Sequence, residues 1–185
     1  MLKNSTIKDF EEALTLLDQE LKNAELKIKI RAIGGFAMMY YGFRDNGYTI
    51  DIDSLTEAYS EDVLELIEKV GREKGIDEDW LNTDCSTLDG FLDSLSGEID
   101  WQKANYTFDN IDLQIADVRG LIRSKAKAVQ DGGIVPRSTD KKDLISGLVH
   151  VGIHGIEELD RSQEYAFIAS DYPRSYEFLK QADKW

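Results

Sequence analysis

Apolar residues recur with a helical period at Phe10, Ala13, Leu14, Leu17 and Leu21, which predicts an amphipathic helix over 6–21. Thr6 and Asp9 have the spacing of a capping box at its start. The period then shortens to two. Leu26, Ile28 and Ile30 alternate with lysines, a strand pattern over 26–33 that Gly34 and Gly35 interrupt. A short apolar helix over 36–41 is expected next, then a turn at Asp45-Asn46-Gly47. A second strand is expected over 48–55. Ser60 can cap a helix over 61–74, with Val63, Leu64, Leu66, Ile67 and Val70 on its apolar side and Gly75 to end it. The stretch 77–95 has no clean period, although Ser86 and Asp89 have the spacing to cap a short helix.

Residues 103–108 and 111–115 flank Asp109-Asn110, the pattern of a β-hairpin with a tight turn. Its second arm alternates Ile111, Leu113 and Ile115 against Asp112 and Gln114. A helix from Asp117 or Val118 should run to Gln130, closed by Asp131-Gly132-Gly133. After Pro136, Thr139 or Asp140 can cap a helix over 141–151. The tail over 156–184 has a helical pattern with a break near Asp171-Tyr172-Pro173. Few strands among many helices, with a helical tail, predict an α/β or α+β chain: a small mixed sheet with flanking helices.

Composition narrows the class. A chain of 185 residues fits a single domain over 1–185, and 42% hydrophobic residues are enough for a core, so a disordered chain is excluded. The one cysteine, Cys85, excludes an internal disulfide framework and fits a reducing compartment. Its acidic neighbours would raise its pKa, which argues against a catalytic thiol. No apolar run approaches the roughly 20 residues of a membrane span, and no signal core opens the chain. A cytoplasmic protein without a membrane partner is expected.

Charge changes the picture further. The net charge of −14 argues against binding long nucleic acid through a broad basic face. The charge is uneven. From Asp77 to Asp117 there are eleven acids and one base, Lys103; from Arg119 to Lys142 there are seven bases and two acids. Two solvated faces account for this, and so does a basic wall facing phosphates across from a carboxylate cluster.

The candidate chemistry lies in Ile33-Gly34-Gly35-Phe36-Ala37 and Thr49-Ile50-Asp51-Ile52-Asp53. A Gly pair between strand and helix allows close approach of phosphates. Strand alternation puts Asp51 and Asp53 on one face, opposite Ile50, Ile52 and Leu55. Two adjacent carboxylates repel, and a site that keeps both ionised usually holds a cation between them. Asp112, on another strand and flanked by apolar residues, offers a third carboxylate for one or two Mg²⁺ ions.

These residues resemble the nucleotidyltransferase superfamily that includes DNA polymerase β. Its pattern is an apolar residue, Gly, then Gly or Ser, a spacer, Asp-apolar-Asp, and a third acid on a later strand. Here this reads Ile33-Gly34-Gly35, Asp51-Ile52-Asp53, and Asp112 in Asn110-Ile111-Asp112-Leu113. The local form from Arg44 to Asp53 is similar to small bacterial nucleotidyltransferases of the toxin–antitoxin and abortive-infection type. So is Leu121-Ile122-Arg123-Ser124-Lys125 followed by Arg137 and Lys141-Lys142-Asp143-Leu144. The resemblance covers residues 25–150. The spacer of fifteen residues between Gly35 and Asp51 is longer than usual, which fits an insertion at the Asp45-Asn46-Gly47 turn and argues against a role for Arg44.

The resemblance implies an α/β core over 25–118 and a helical extension over 119–185. It implies an NTP substrate whose triphosphate meets the helix start at Gly34 and Gly35. Asp51 and Asp53 would hold Mg²⁺. Asp112 would hold a second ion and act as general base, with Asp117 as the alternative third acid. Lys125 would neutralise triphosphate charge. The acceptor hydroxyl would belong to a small molecule, a protein or a tRNA. The competing expectation is a catalytically silent protein whose acidic surface docks a basic partner, such as a cognate antitoxin. His150 and His154 have a zinc-compatible i, i+4 spacing but lack the Glu of a metalloprotease pattern. Trp80, Trp101 and Trp185 are expected to pack.

Overall fold

The computed structural model describes residues 4–44, 47–87, 95, 97–132, 137–182 and 185. The chain is mixed α/β and divides into two compact units, Met1–Asp117 and Val118–Trp185. Among the described residues no helix is long and apolar enough to cross a membrane.

In the first unit, α1 (Ile7–Asn23) begins at the expected capping box. The Thr6 hydroxyl accepts the Asp9 amide, and the Asp9 carboxylate accepts the Thr6 amide. This pairs backbone donors that a helix start would leave unsatisfied. A five-stranded sheet follows, in the order β3-β2-β1-β5-β4. Strand β1 (Ile28–Ile33) runs parallel to β5 (Ile111–Ala116) and antiparallel to β2 (Ile52–Ser54). The edges are β3 (Leu81–Asn82), parallel to β2, and β4 (Trp101–Lys103), antiparallel to β5. Alternation puts Ile28, Ile30, Ala32, Ile111, Leu113, Ile115, Ile52 and Ser54 on the buried face. The other face carries Lys29, Arg31, Asp112, Gln114 and Asp53.

Helices α2 (Gly34–Tyr40) and α3 (Glu61–Lys74) complete this core. Phe10 meets Phe36 edge-on at 5.7 Å and stacks on Trp80 at 6.3 Å. The Trp80 indole N–H donates to the Ile67 carbonyl at 2.9 Å, which satisfies the polar atom of a fully buried ring. The left-handed Gly75 ends α3 as expected, but the Ser60 side chain makes no cap hydrogen bond.

Several sequence expectations need correction. The second strand is only Ile52–Ser54; Thr49 instead forms a two-way bridge with Ser5, at 2.7 and 3.1 Å. Strand β3 and the short helix α4 (Asp84–Thr87) had no periodic signal, and Asp89 lies outside the described residues. The hairpin is real but its turn is not tight. Trp101 pairs with Ala116, and residues 104–110 form a longer connection. Asp18 explains its path: its carboxylate accepts the Asn110 amide at 2.7 Å and the Asp109 amide at 3.3 Å.

The second unit contains α5 (Val118–Asp131), α6 (Ser138–His150), α7 (Ile156–Arg161), α8 (Phe167–Asp171) and α9 (Pro173–Gln181). Its core includes Ile122, Ala126, Val129, Leu144, Leu148 and Leu179. The expected break falls at Tyr172, with Pro173 opening α9. A further break at 162–166 was not foreseen. Gly133 and Pro136 lie outside the described residues. His150 ends α6 and Gly152 turns away at φ +84°, so His150 and His154 do not share a helix face.

Much of the basic run from Arg119 to Lys142 is paired within the second unit. Arg123 pairs with Asp171 at 3.1 Å and stacks over Phe167 at 4.0 Å. Lys127 pairs with Asp131, Arg137 with Asp140, and Lys141 lies over Phe178. Lys125 departs furthest from expectation. Its ammonium is buried between Asp140, at 3.0 Å, and Asp143, at 2.8 Å, where it joins α5 to α6. The structure therefore corrects its assignment from a triphosphate contact to an internal ion cluster.

Removing Lys125 takes the shared cation from two buried carboxylates, and Asp140 keeps the exposed Arg137. Lys125→Ala is expected to cost about 3–5 kcal/mol. Lys127→Ala removes a pair with the exposed Asp131 and should cost under about 1 kcal/mol. Urea denaturation of both variants checks this; similar losses would remove the structural role of Lys125.

Candidate active site

The site begins where β1 becomes α2. Gly34 has φ +66°, in the left-handed region that favours glycine. The ladder pairs Ile33 with Asp53, so the Asp53 side chain stands directly over this turn. A Cβ on Gly34 would collide with the Asp53 carboxylate. A Cβ on Gly35 would collide with the Thr49 hydroxyl and the Arg44 guanidinium. The two glycines thus let a carboxylate, a hydroxyl and a guanidinium close onto the backbone. Arg44 is braced by donating to the Tyr48 carbonyl at 2.8 Å, and Thr49 by its bridge to Ser5. Asp45 and Asn46 of the expected turn lie outside the described residues, but the Gly47 amide does donate to the Arg44 carbonyl at 3.1 Å.

Asp51 and Asp53 are half-buried, while Ile52 and Ser54 are fully buried. That alternation puts both carboxylates on one face, as expected from their spacing. Asp51 accepts the Asn82 side-chain amide at 3.3 Å. Asn82 pairs in register with Asp53, and its carbonyl oxygen accepts the Asp84 amide at 3.1 Å. Cys85 packs behind, against the Ser54 carbonyl. Its thiol is pushed up to about 12, first by burial and then by the Asp53 charge, so it stays protonated and is no nucleophile at neutral pH.

Asp112 does not join this pair. It lies opposite Lys29, whereas Asp53 lies opposite Ile33. The offset is four residues along β1 and two strand spacings across, roughly 16 Å at ordinary sheet dimensions. Asp112 is exposed, 3.6 Å from the Lys29 ammonium, and accepts the Gln114 amide. Its assignment as third metal ligand and base is therefore corrected. Asp117 follows β5 and exchanges hydrogen bonds with Asp100, closing the β4–β5 pairing. Among the described residues no group of three or more His, Cys, Asp or Glu converges as a metal cage.

Asp51 and Asp53 still suit Mg²⁺ as donors. Magnesium takes one or two carboxylates, water and phosphate oxygens in preference to a full protein cage. The missing Cβ at Gly34 leaves room for the Asp53 carboxylate to lie over the turn. The spacer length argued against Arg44, which the structure nevertheless places at Gly35, and the sequence did not single out Thr49 or Asn82. Thr49 had a usable signal, since positions 49, 51 and 53 share a parity. Asn82 had none, because a two-residue strand leaves no period.

Comparison with protein-family models, curated proteins and solved structures finds no match.

Gly34→Ala is expected to destabilise the protein more than Gly47→Ala. Both positions have left-handed backbone, which costs an L residue about 1–2 kcal/mol. Gly34 also faces a side chain, whereas among the described residues nothing lies within 4 Å of a Cβ at Gly47. Denaturant titrations should show an excess cost for Gly34→Ala that vanishes when Asp53→Ala is added. Equal costs would remove the Gly34–Asp53 contact.

Proposed function

We propose that this protein is a Mg²⁺-dependent nucleotidyltransferase that moves a nucleoside monophosphate from an NTP to a hydroxyl acceptor. The observation that carries the reading is the closure of Asp53, Thr49 and Arg44 over Gly34 and Gly35, with Asp51 beside them. It joins the two motifs of the sequence pattern at one place. Asp51 and Asp53 would hold the metal, which supplies charge neutralisation at the phosphates. The Arg44 guanidinium and the Thr49 hydroxyl offer donors to phosphate oxygens. In the transfer, the acceptor oxygen bonds to the α-phosphorus. The bond from that phosphorus to the bridging oxygen breaks, and pyrophosphate leaves with the electron pair. Solvent takes up the hydroxyl proton.

Pairing within the basic run argues against a tRNA acceptor and favours a small molecule or a protein hydroxyl. The local motif supports a toxin-like role of the toxin–antitoxin kind. One observation favours a second reading. With Asp112 held away from the pair, no third carboxylate joins it among the described residues. A silent relative would keep the fold and dock a basic partner, such as an antitoxin, on its acidic surface. Incubation with α-labelled NTPs and a cell extract separates the two: label on a macromolecule or metabolite supports transfer, and no label under any NTP supports the silent reading.

Asp53→Asn is expected to leave the apo protein as stable as wild type or more so, because it removes one of two repelling carboxylates. The same change should abolish transfer and the rise in melting temperature that Mg²⁺ with NTP gives wild type. Thermal melts with and without Mg²⁺–NTP check this. Equal ligand-induced shifts in both proteins would remove Asp53 from the metal site.

A further inference from the structure

In the second unit a cavity of about 400 Å³ opens between α5, α6 and α9. Val129, Pro173 and Phe178 give it an apolar floor. Lys141 and Arg174 bring two cations to the same space, and each is held in place. The Lys141 ammonium lies 5.0 Å from the centre of the Phe178 ring. Arg174 is anchored to the end of α5. Its backbone amide donates to the Gln130 side-chain oxygen at 2.8 Å, and its guanidinium donates to the Gln130 backbone carbonyl at 2.9 Å. Glu177 is the one acid among the described lining residues, and its carboxylate lies 3.0 Å from the Lys180 ammonium. The cavity is therefore locally positive on a chain whose net charge is −14. Salt at physiological strength screens fields beyond roughly 8 Å, so the lining charges dominate for a ligand inside.

We propose that this cavity binds a small organic carboxylate that carries one apolar ring. The inference concerns the second unit alone and does not rest on the nucleotidyltransferase reading. The volume lies within the range of small-ligand sites and holds a ring with a short chain. A guanidinium presents its N–H donors in a planar fork that matches a carboxylate, and the ammonium lining the same cavity adds a second charge. Val129, Pro173 and Phe178 take the ring, which leaves water on binding. An inorganic anion would meet the cations and leave that floor wet. An amine of the same shape would meet two like charges.

The test uses three probes of nearly one shape and different charge: hydrocinnamate, hydrocinnamyl alcohol and phenylpropylamine. Inorganic phosphate is the fourth. Backbone amide resonances of the full chain are followed by NMR during titration. Hydrocinnamate is expected to shift the amides of Val129, Lys141, Arg174 and Phe178 at about tenfold lower concentration than the alcohol. The amine and phosphate should leave them in place over the same range. Glu177→Gln removes the acid from the lining and should tighten hydrocinnamate binding about threefold, a gain that a damaged fold cannot give. Lys141→Gln should bring hydrocinnamate close to the alcohol. If Lys141→Gln does not fold, the Glu177→Gln titration decides. Equal binding of hydrocinnamate and the alcohol, or shifts centred elsewhere, would overturn the proposal. So would phosphate binding as tight as hydrocinnamate, unchanged or weaker binding in Glu177→Gln, or a full preference retained in Lys141→Gln.

Discussion

The Asp53 carboxylate lies over the α-carbon of Gly34, and the polar groups of the site depend on that contact. Strand β1 must turn into α2 through a left-handed residue, and it must do so without a Cβ. Ladder pairing of Ile33 with Asp53 sets the height of the carboxylate through backbone hydrogen bonds, not through a flexible side chain. Gly35 repeats the arrangement one residue on, with Thr49 and Arg44 above it. Two absent methyl groups thus allow three polar side chains from residues 44–53 to converge. A methyl at either position would force the side chains above it to shift.

β1 also acts as the ruler for the rest of the sheet. Its parallel register with β5 places Asp112 beside Lys29, and its antiparallel register with β2 places Asp53 beside Ile33. Both acids are polar members of alternating strands, yet one stands at the turn and the other four residues away. Asp112 forms an exposed pair with Lys29, the kind that contributes little. Lys125 shows the opposite case. Its two carboxylate partners are as buried as it is, so the loss of any member of the cluster is costly, although Asp140 also has Arg137.

Features written in local physics were legible from the sequence. The capping box at Thr6, the period of α1, the end of α3 at Gly75 and the shared face of Asp51 and Asp53 each depend on residues within a turn or two of one another. Features that depend on pairing partners were not. Asp53 and Asp112 have the same local pattern, and only the strand register distinguishes them. Arg123 reads as part of a basic run and Lys125 as a triphosphate contact until Asp171, Asp140 and Asp143 are brought to them. Asn82 sits in a two-residue strand, too short for any period, although its amide reaches Asp51.

The electrostatics around the pair also constrain its ligands. Asp53 is strong enough a charge to help hold the Cys85 thiol protonated, and Asp84 adds to the same effect. Glu68, Glu78, Asp79 and Asp84 extend the negative field to a neighbouring cavity. A bare triphosphate entering this field would be repelled by it. Under the proposed reading, a triphosphate carrying its own divalent cation would bring the charge that Asp51 and Asp53 lack, with the Arg44 guanidinium on the Gly35 side. On that reading, the same acidity requires that a nucleotide arrive with its charge neutralised.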